Sequence, residues 1–293
     1  MLQIYILLKN INKLIHLLII SLLLMLSYSN AKINLGLKII SKRLDGFHNL
    51  SSIFLPIPLY DLIEIQIPRN SINKNQITYS GLIKGHIEND LVLKAYDVLS
   101  NDYDLPYLNI HLHKNIPLGA GLGGGSSNAS FMLMMLNNLF NLKLSLKKLS
   151  NYAVKLGSDC PFFIYNNLSY VSGLGDIVKP IDYSCNGFYI VIIKPKYHCS
   201  TSKVFDLLSI DKLNKKELEF NDDICCWKND LVNDLESVVF ALYPELKQIK
   251  KYLYSKGSFY TSMSGSGSAV YGLFDHKPDI DSKFNYWCWI SKI

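Results

Sequence analysis

No aspartate or glutamate occurs between Leu105 and Ser158. That gap surrounds the most distinctive stretch of the chain, Pro117-Leu118-Gly119-Ala120-Gly121-Leu122-Gly123-Gly124-Gly125-Ser126-Ser127, and limits what it can be. The order Gly119-x-Gly121-x-x-Gly124 spells a dinucleotide fingerprint, but the acidic residue about 20 positions on that would hold a ribose is missing. The Gly-Lys-Ser/Thr ending of a Walker A loop is missing too. Lys114 stands nearby with no negative charge in the local sequence. Cysteine is also sparse in pattern: six residues form no CxxC pair and no histidine-spaced cluster, which excludes a disulfide framework or zinc site and points to reduced thiols. A net charge of +6 is spread without a long basic run, which suits a small anionic substrate better than a nucleic acid. There is no internal repeat and no low-complexity linker.

What is present begins with that run. Five glycines in the seven residues 119–125 lie between Asn109–His113, which alternates like a strand, and an apolar helical face built by Phe131, Met134, Met135, Leu136 and Leu139 from about Ser127 to Leu142. A glycine-rich turn that opens a helix presents unpaired backbone N–H groups at the positive end of the helix dipole. Such a turn cradles phosphate.

The first residues carry a different signal. Leu14 to Leu26 is apolar apart from His16 and Ser21, with Lys9 and Lys13 ahead and Ser27-Tyr28-Ser29 behind, the layout of a secretory signal. It is short and interrupted for a membrane span, although an anchor using residues 4–26 is the rival reading. The reading adopted here takes Met25 as the initiator, because chemistry-bearing sequence starts at Asn30 with no room for a spacer.

Ala31 to Ile40 alternates as a strand with Lys32 and Asn34 on one face. Ile53–Ile57 and Asp61–Ile67 read as two strands separated by Pro56 and Pro58, and residues 89–101 as a helix capped by Asn89 or Asp90. Leu146–Leu156 reads as a helix, and Ser158 to Ile164 as a break followed by an apolar strand. Gly173–Asp176 marks a hairpin, Phe188–Ile193 a strand, and the polar residues 211–223 a surface connection. Asn233-Asp234-Leu235-Glu236 and Pro244 open helices, with Asn233-Asp234 as caps, and Val270–Phe274 is a strand. Strands and helices mix without strict βαβ alternation, so the class is α+β.

Lys32 on an apolar strand must snorkel or pair. Asp159, between a helix and an apolar segment, has little structural reason to be charged.

Ala31-Lys32-Ile33-Asn34-Leu35-Gly36-Leu37, Asp45-Gly46-Phe47-His48, Gly123 to Gly125, Gly157-Ser158-Asp159-Cys160-Pro161-Phe162-Phe163, Asn233 to Glu236 and Met263-Ser264-Gly265-Ser266-Gly267-Ser268 occur in this order. Together they resemble the GHMP kinase superfamily, and most narrowly its branch acting on a cytidylyl alcohol, from about Ser29 to the C-terminus. The resemblance implies an N-terminal domain like ribosomal protein S5 domain 2 at 29–182, a ferredoxin-like C-terminal domain at 183–293, and an extension at 1–28 outside the native fold. It implies ATP-dependent phosphorylation of the 2-hydroxyl of CDP-methylerythritol, a step of the non-mevalonate isoprenoid route, in the cytoplasm, by a monomer or homodimer. Pro117 to Ser127 would hold the ATP phosphates, and Asp159 would take the hydroxyl proton with Lys32 beside it. Phe47 and His48 would bind cytosine, Phe47 replacing the family's tyrosine and losing its hydroxyl, with Phe205 as a second stacking face. Ser264, Gly265, Ser266 and Gly267 would close over the phosphates. Mg²⁺ is expected with ATP, with Ser126 or Ser127 as candidate hydroxyl ligands and no carboxylate partner identified. The alternatives are another GHMP kinase acting on homoserine, mevalonate or a sugar, or a non-catalytic nucleotide-binding paralogue.

Overall fold

The backbone of the first half is a pair of unusually long antiparallel strands, β1 (Leu24–Lys42) and β2 (His48–Gln66), turning at Arg43–Phe47. The computed structural model describes residues 24–293 apart from 84, 210–212, 214 and 282–284. The apolar segment 1–23 therefore lies outside the described residues. Leu24 to Tyr28, assigned from sequence to an extension outside the fold, belong to it: they pair with Gln66 to Leu62 of β2, because Leu24, Leu26 and Tyr28 alternate with half-buried residues as a strand does.

Pro56 and Pro58 do not split β2 in two. The register slips between Asn30, opposite Tyr60, and Ala31, opposite Ile57, so a bulge absorbs the prolines without ending the strand. The other side of β2 is shared. Its end near Gln66 pairs with β4 (Asn109–Lys114), itself parallel to β3 (Gln76–Gly81), and its start pairs with the hairpin β5 (Ser169–Gly173) and β6 (Ile177–Pro180). Behind this sheet pack α1 (Leu91–Ser100), capped by Asp90, then α2 (Gly124–Leu139) and α3 (Leu146–Val154), capped by Ser145.

The segment after Asp159 is a helix, α4 (Cys160–Tyr165), and not the strand expected. Pro161 sits in its first turn, where a missing N–H costs nothing, and Asn166 ends it in a left-handed conformation. An apolar run this short carries no period by which to tell helix from strand. Phe162 and Phe163 bury against Phe54 and Val171.

The second half is a four-stranded antiparallel sheet in the order β10 (Trp287–Lys292), β7 (Tyr189–Lys194), β9 (Val270–Phe274), β8 (Tyr260–Met263). Helices α5 (Thr201–Asp206) and α6 (Ile224–Asp230) precede α7 (Glu236–Leu242) and α8 (Pro244–Ser255), the last two covering one face of that sheet. Its other face packs on β1 and β2 around Trp227, so both halves share a core. Asn233 and Asp234, expected to cap a helix, tether it instead: Leu235 is the N-cap of α7 and no side chain caps it, while the Asn233 side chain accepts from Leu235 N–H and Asp234 pairs with Lys38 and accepts from Ile39 N–H. Among the described residues no helix is long and apolar enough to cross a membrane.

Candidate active site

A cavity of about 840 Å³ opens where the two halves meet. Its floor is the glycine run, residues 115–123 between β4 and α2. Helix α2 begins at Gly124, three residues earlier than the composition suggested, with Gly123 as a left-handed cap that supplies no side-chain hydrogen bond to the first amides. Those N–H groups are left free for an anion.

The loop alternates like a strand. Ala120 and Leu122 are buried in the shared core, while Gly119, Gly121 and Gly123 line the cavity, each with a positive φ. Two of these positions admit no side chain for a second reason. A Cβ on Gly121 would stand 2.0 Å from the Ser264 carbonyl oxygen, and one on Gly119 would stand 2.1 Å from the His198 ring. Lys32 N–H donates to the Leu122 carbonyl at 3.0 Å, which ties the loop to β1. Of the serines, Ser126 lines the cavity and Ser127 is wholly buried. Pro117, Leu118, Gly124 and Gly125 shape the loop and helix without lining the cavity wall.

Lys114 is not the free cation the local sequence suggested. It is buried against Asp61, with the Asn128 side chain at 2.8 Å, and Asp61 also accepts from the N–H groups of Asn115 and Ile116. The counter-charge comes from β2, far away in sequence, and the cluster anchors the start of the loop.

Lys32 and Asp159 meet in the cavity wall, with the Lys32 Nζ 3.3 Å from an Asp159 carboxylate oxygen. Lys32 is 3% exposed and Asp159 30%, so the pair has a sheltered base and an open end. The lysine also donates to Asn34 Oδ1 at 2.6 Å and lies 4.3 Å above the Phe54 ring. Asp159 precedes α4 yet makes no capping bond, so its carboxylate is not spent on holding the helix. Asn34 was visible only as a partner of Lys32 on one strand face. In the fold it is fixed by Ser52 at 3.0 Å and approached by the Ser264 hydroxyl at 3.4 Å.

At the far end lie Phe47, His48 and Phe205. Phe47 is 63% exposed on its turn. The His48 ring stacks on Phe205 at 4.9 Å with an interplanar angle of 21°, and its Nε2 is buried without a partner. Burial, and then the nearby Lys42 charge, holds the imidazole below its usual pKa, while Asp206 opposes. It is thus neutral near pH 7, with a polar nitrogen unspent. The late loop between β8 and β9 contributes Gly265, Ser266 and Gly267 to the wall, whereas Ser264 is buried and donates to the Gly121 carbonyl at 2.8 Å. Sequence reasoning missed His198 and Thr201, which also line the cavity; neither sits in a motif.

Among the described residues no three His, Cys, Asp or Glu side chains gather closely enough to hold a metal ion. The oxygen donors near the loop are the Ser126 hydroxyl and the Asp159 carboxylate, a set that fits an ion held mainly by nucleotide phosphates and water.

An α+β fold with an amide-lined glycine floor, and a lysine–carboxylate pair beside it, defines a class of small-molecule phosphotransferase. The GHMP kinases N terminal domain matches residues 90–167, and the GHMP kinases C terminal region matches 212–288. The chain belongs to the GHMP kinase family. It is 47% identical over 259 residues to the 4-diphosphocytidyl-2-C-methyl-D-erythritol kinase of Bacteroides fragilis (strain YCH46), covering 87% of this chain and 94% of that one. It also resembles a crystal structure of 4-(cytidine 5'-diphospho)-2C-methyl-D-erythritol kinase, with TM-score 0.71 and 29% identity over 85% of this chain and 90% of that one. A homoserine kinase from Cytophaga hutchinsonii, 15% identical with TM-score 0.65 over 92% and 93% of the chains, shares the fold.

Proposed function

We propose that the chain transfers the terminal phosphoryl group of ATP to the 2-hydroxyl of CDP-methylerythritol, releasing ADP, within the non-mevalonate route to isoprenoid precursors. The observation that carries this reading is the Lys32–Asp159 pair at 3.3 Å in the same cavity as the glycine floor and the Phe47-His48 turn. Phosphoryl transfer asks the protein mainly for alignment and charge neutralisation. The α2 amides and the glycine loop hold the phosphates. The Asp159 carboxylate accepts the hydrogen bond, and then the proton, of the attacking hydroxyl. Lys32 keeps that carboxylate ionised and faces the negative charge that develops on the oxygen.

Cytosine stacks on Phe47, while the partnerless His48 Nε2 supplies a polar contact to the base edge. Ser126 would be the protein's hydroxyl contribution to a Mg²⁺ ion held mainly by the nucleotide phosphates, and such an ion would supply screening of their charge. The assembly proposed is a monomer or a homodimer. Six free cysteines accord with a reducing cytoplasm.

The test is a substrate panel. Purified protein with ATP and Mg²⁺ is offered CDP-methylerythritol, homoserine and mevalonate, and the expected outcome is ADP release with the cytidylyl alcohol alone. Turnover of another alcohol instead, or of none, refutes the assignment.

A further inference from the structure

One short segment touches all three parts of the cavity. His198 Nδ1 donates to the Gly119 carbonyl of the glycine loop at 3.1 Å, and the space that a Gly119 side chain would need is filled by the His198 ring. Tyr197 O accepts from Ser268 Oγ of the late loop at 2.9 Å. Thr201, the first residue of α5, shares a hydroxyl hydrogen bond of 2.7 Å with Ser266 of that loop. One turn further on, Phe205 stacks on His48. Helix α5 is therefore held at one end by the phosphate side of the cavity and at the other by the base-binding side.

We propose that Thr201 is a positioning residue through which an occupied cytidine end tightens the late loop over the nucleotide phosphates; this rests on the kinase reading above. The physical argument is short. A base seated between Phe47 and Phe205 restricts α5, and the Thr201–Ser266 bond passes that restriction to residues 264–268. Ordering paid for by one ligand is not charged again to the second, which appears as positive coupling between the two sites. Thr201 is exposed and Ser266 half-buried at the open cavity, so their bond gains most when ligands cover it.

The test measures the affinity of a non-hydrolysable ATP analogue with and without saturating CDP-methylerythritol, in the wild type, Thr201→Val and Thr201→Ser. The expected result is tightening of about fivefold or more in the wild type. Thr201→Val removes the hydroxyl at constant shape and should lose most of that factor, raising KM for ATP with the acceptor present while kcat changes little. Thr201→Ser keeps the hydroxyl and should restore the coupling. Equal coupling in Thr201→Val, or none in the wild type, overturns the proposal while wild-type turnover leaves the kinase reading standing. A wild type that does not bind the acceptor overturns both.

Discussion

Asp159 is the residue on which the proposed chemistry turns, and its surroundings set what a change there should do. Replacing it with asparagine keeps the shape and a hydrogen-bond acceptor for Lys32 but removes the charge and the basic oxygen. Asp159→Asn should lower kcat by about 10²–10⁴-fold, the range typical of a positioned general base. Affinity for a nucleotide analogue should change little, since the phosphates are proposed to be held by the amides of the glycine loop and α2 and not by the Asp159 carboxylate. Steady-state kinetics at saturating substrates together with an analogue titration separate the two effects, and an undiminished kcat would remove Asp159 from the mechanism. At this scale sequence was informative where a charge stood in an apolar context, as for Lys32 and Asp159. It was misleading for Lys114, because its counter-charge, Asp61, arrives from another strand and no local pattern announces it. His198 and Thr201 were silent for the same reason: their meaning lies in what the late loop and the glycine loop bring to them.

Among the elements, the glycine loop makes the sharpest prediction. Gly121 has φ +77°, and a methyl group there would run into the Ser264 carbonyl at 2.0 Å. Backbone strain of this kind costs on the order of 1–3 kcal/mol. Because the loop and the late hairpin must part to relieve it, Gly121→Ala should raise KM for ATP by about tenfold or more and lower the melting temperature by several degrees. Gly187 is a useful control, with φ +103° and nothing within 4 Å of an added Cβ. Gly187→Ala should cost stability alone, leaving KM for ATP at the wild-type value. A Gly121→Ala enzyme that also retained the wild-type KM would show that the close approach to Ser264 is not needed for nucleotide binding. The loop and the long periodic elements were legible from sequence because glycine clustering and the 3.6-residue repeat are strong signals. Short elements were not. Helix α4 looked like a strand because six apolar residues have no discernible period, and β2 looked broken because a bulge that accommodates two prolines requires knowledge of its partner strand.

Across the whole molecule, the cavity exists only because two sheets are pressed together. Ile33, Leu35 and Ile53 from the first half meet Ile190, Tyr260 and Tyr271 from the second, with Trp227 wholly buried among them. Trp227 is met edge-on by Tyr183, Phe188, Phe259 and Tyr260, and its Nε1 donates to the Asn221 carbonyl at 2.7 Å. Truncating such a side chain typically costs about 3–5 kcal/mol, through lost burial and the void left behind. A core drawn from both halves couples them, so Trp227→Ala should destabilise the first half as much as the second. Three tryptophans, Trp227, Trp287 and Trp289, all lie in the second half, whereas helices α1 to α4 lie in the first. Urea unfolding followed by tryptophan fluorescence and by far-ultraviolet circular dichroism should therefore give coincident transitions in the wild type. In Trp227→Ala, with Trp287 and Trp289 still reporting, both transitions should move together to lower urea. If helical signal instead survived the loss of fluorescence, the halves would be independent folding units. The late loop and α5 would then be held against the proposed catalytic pair and phosphate loop by the ligands and not by the shared core.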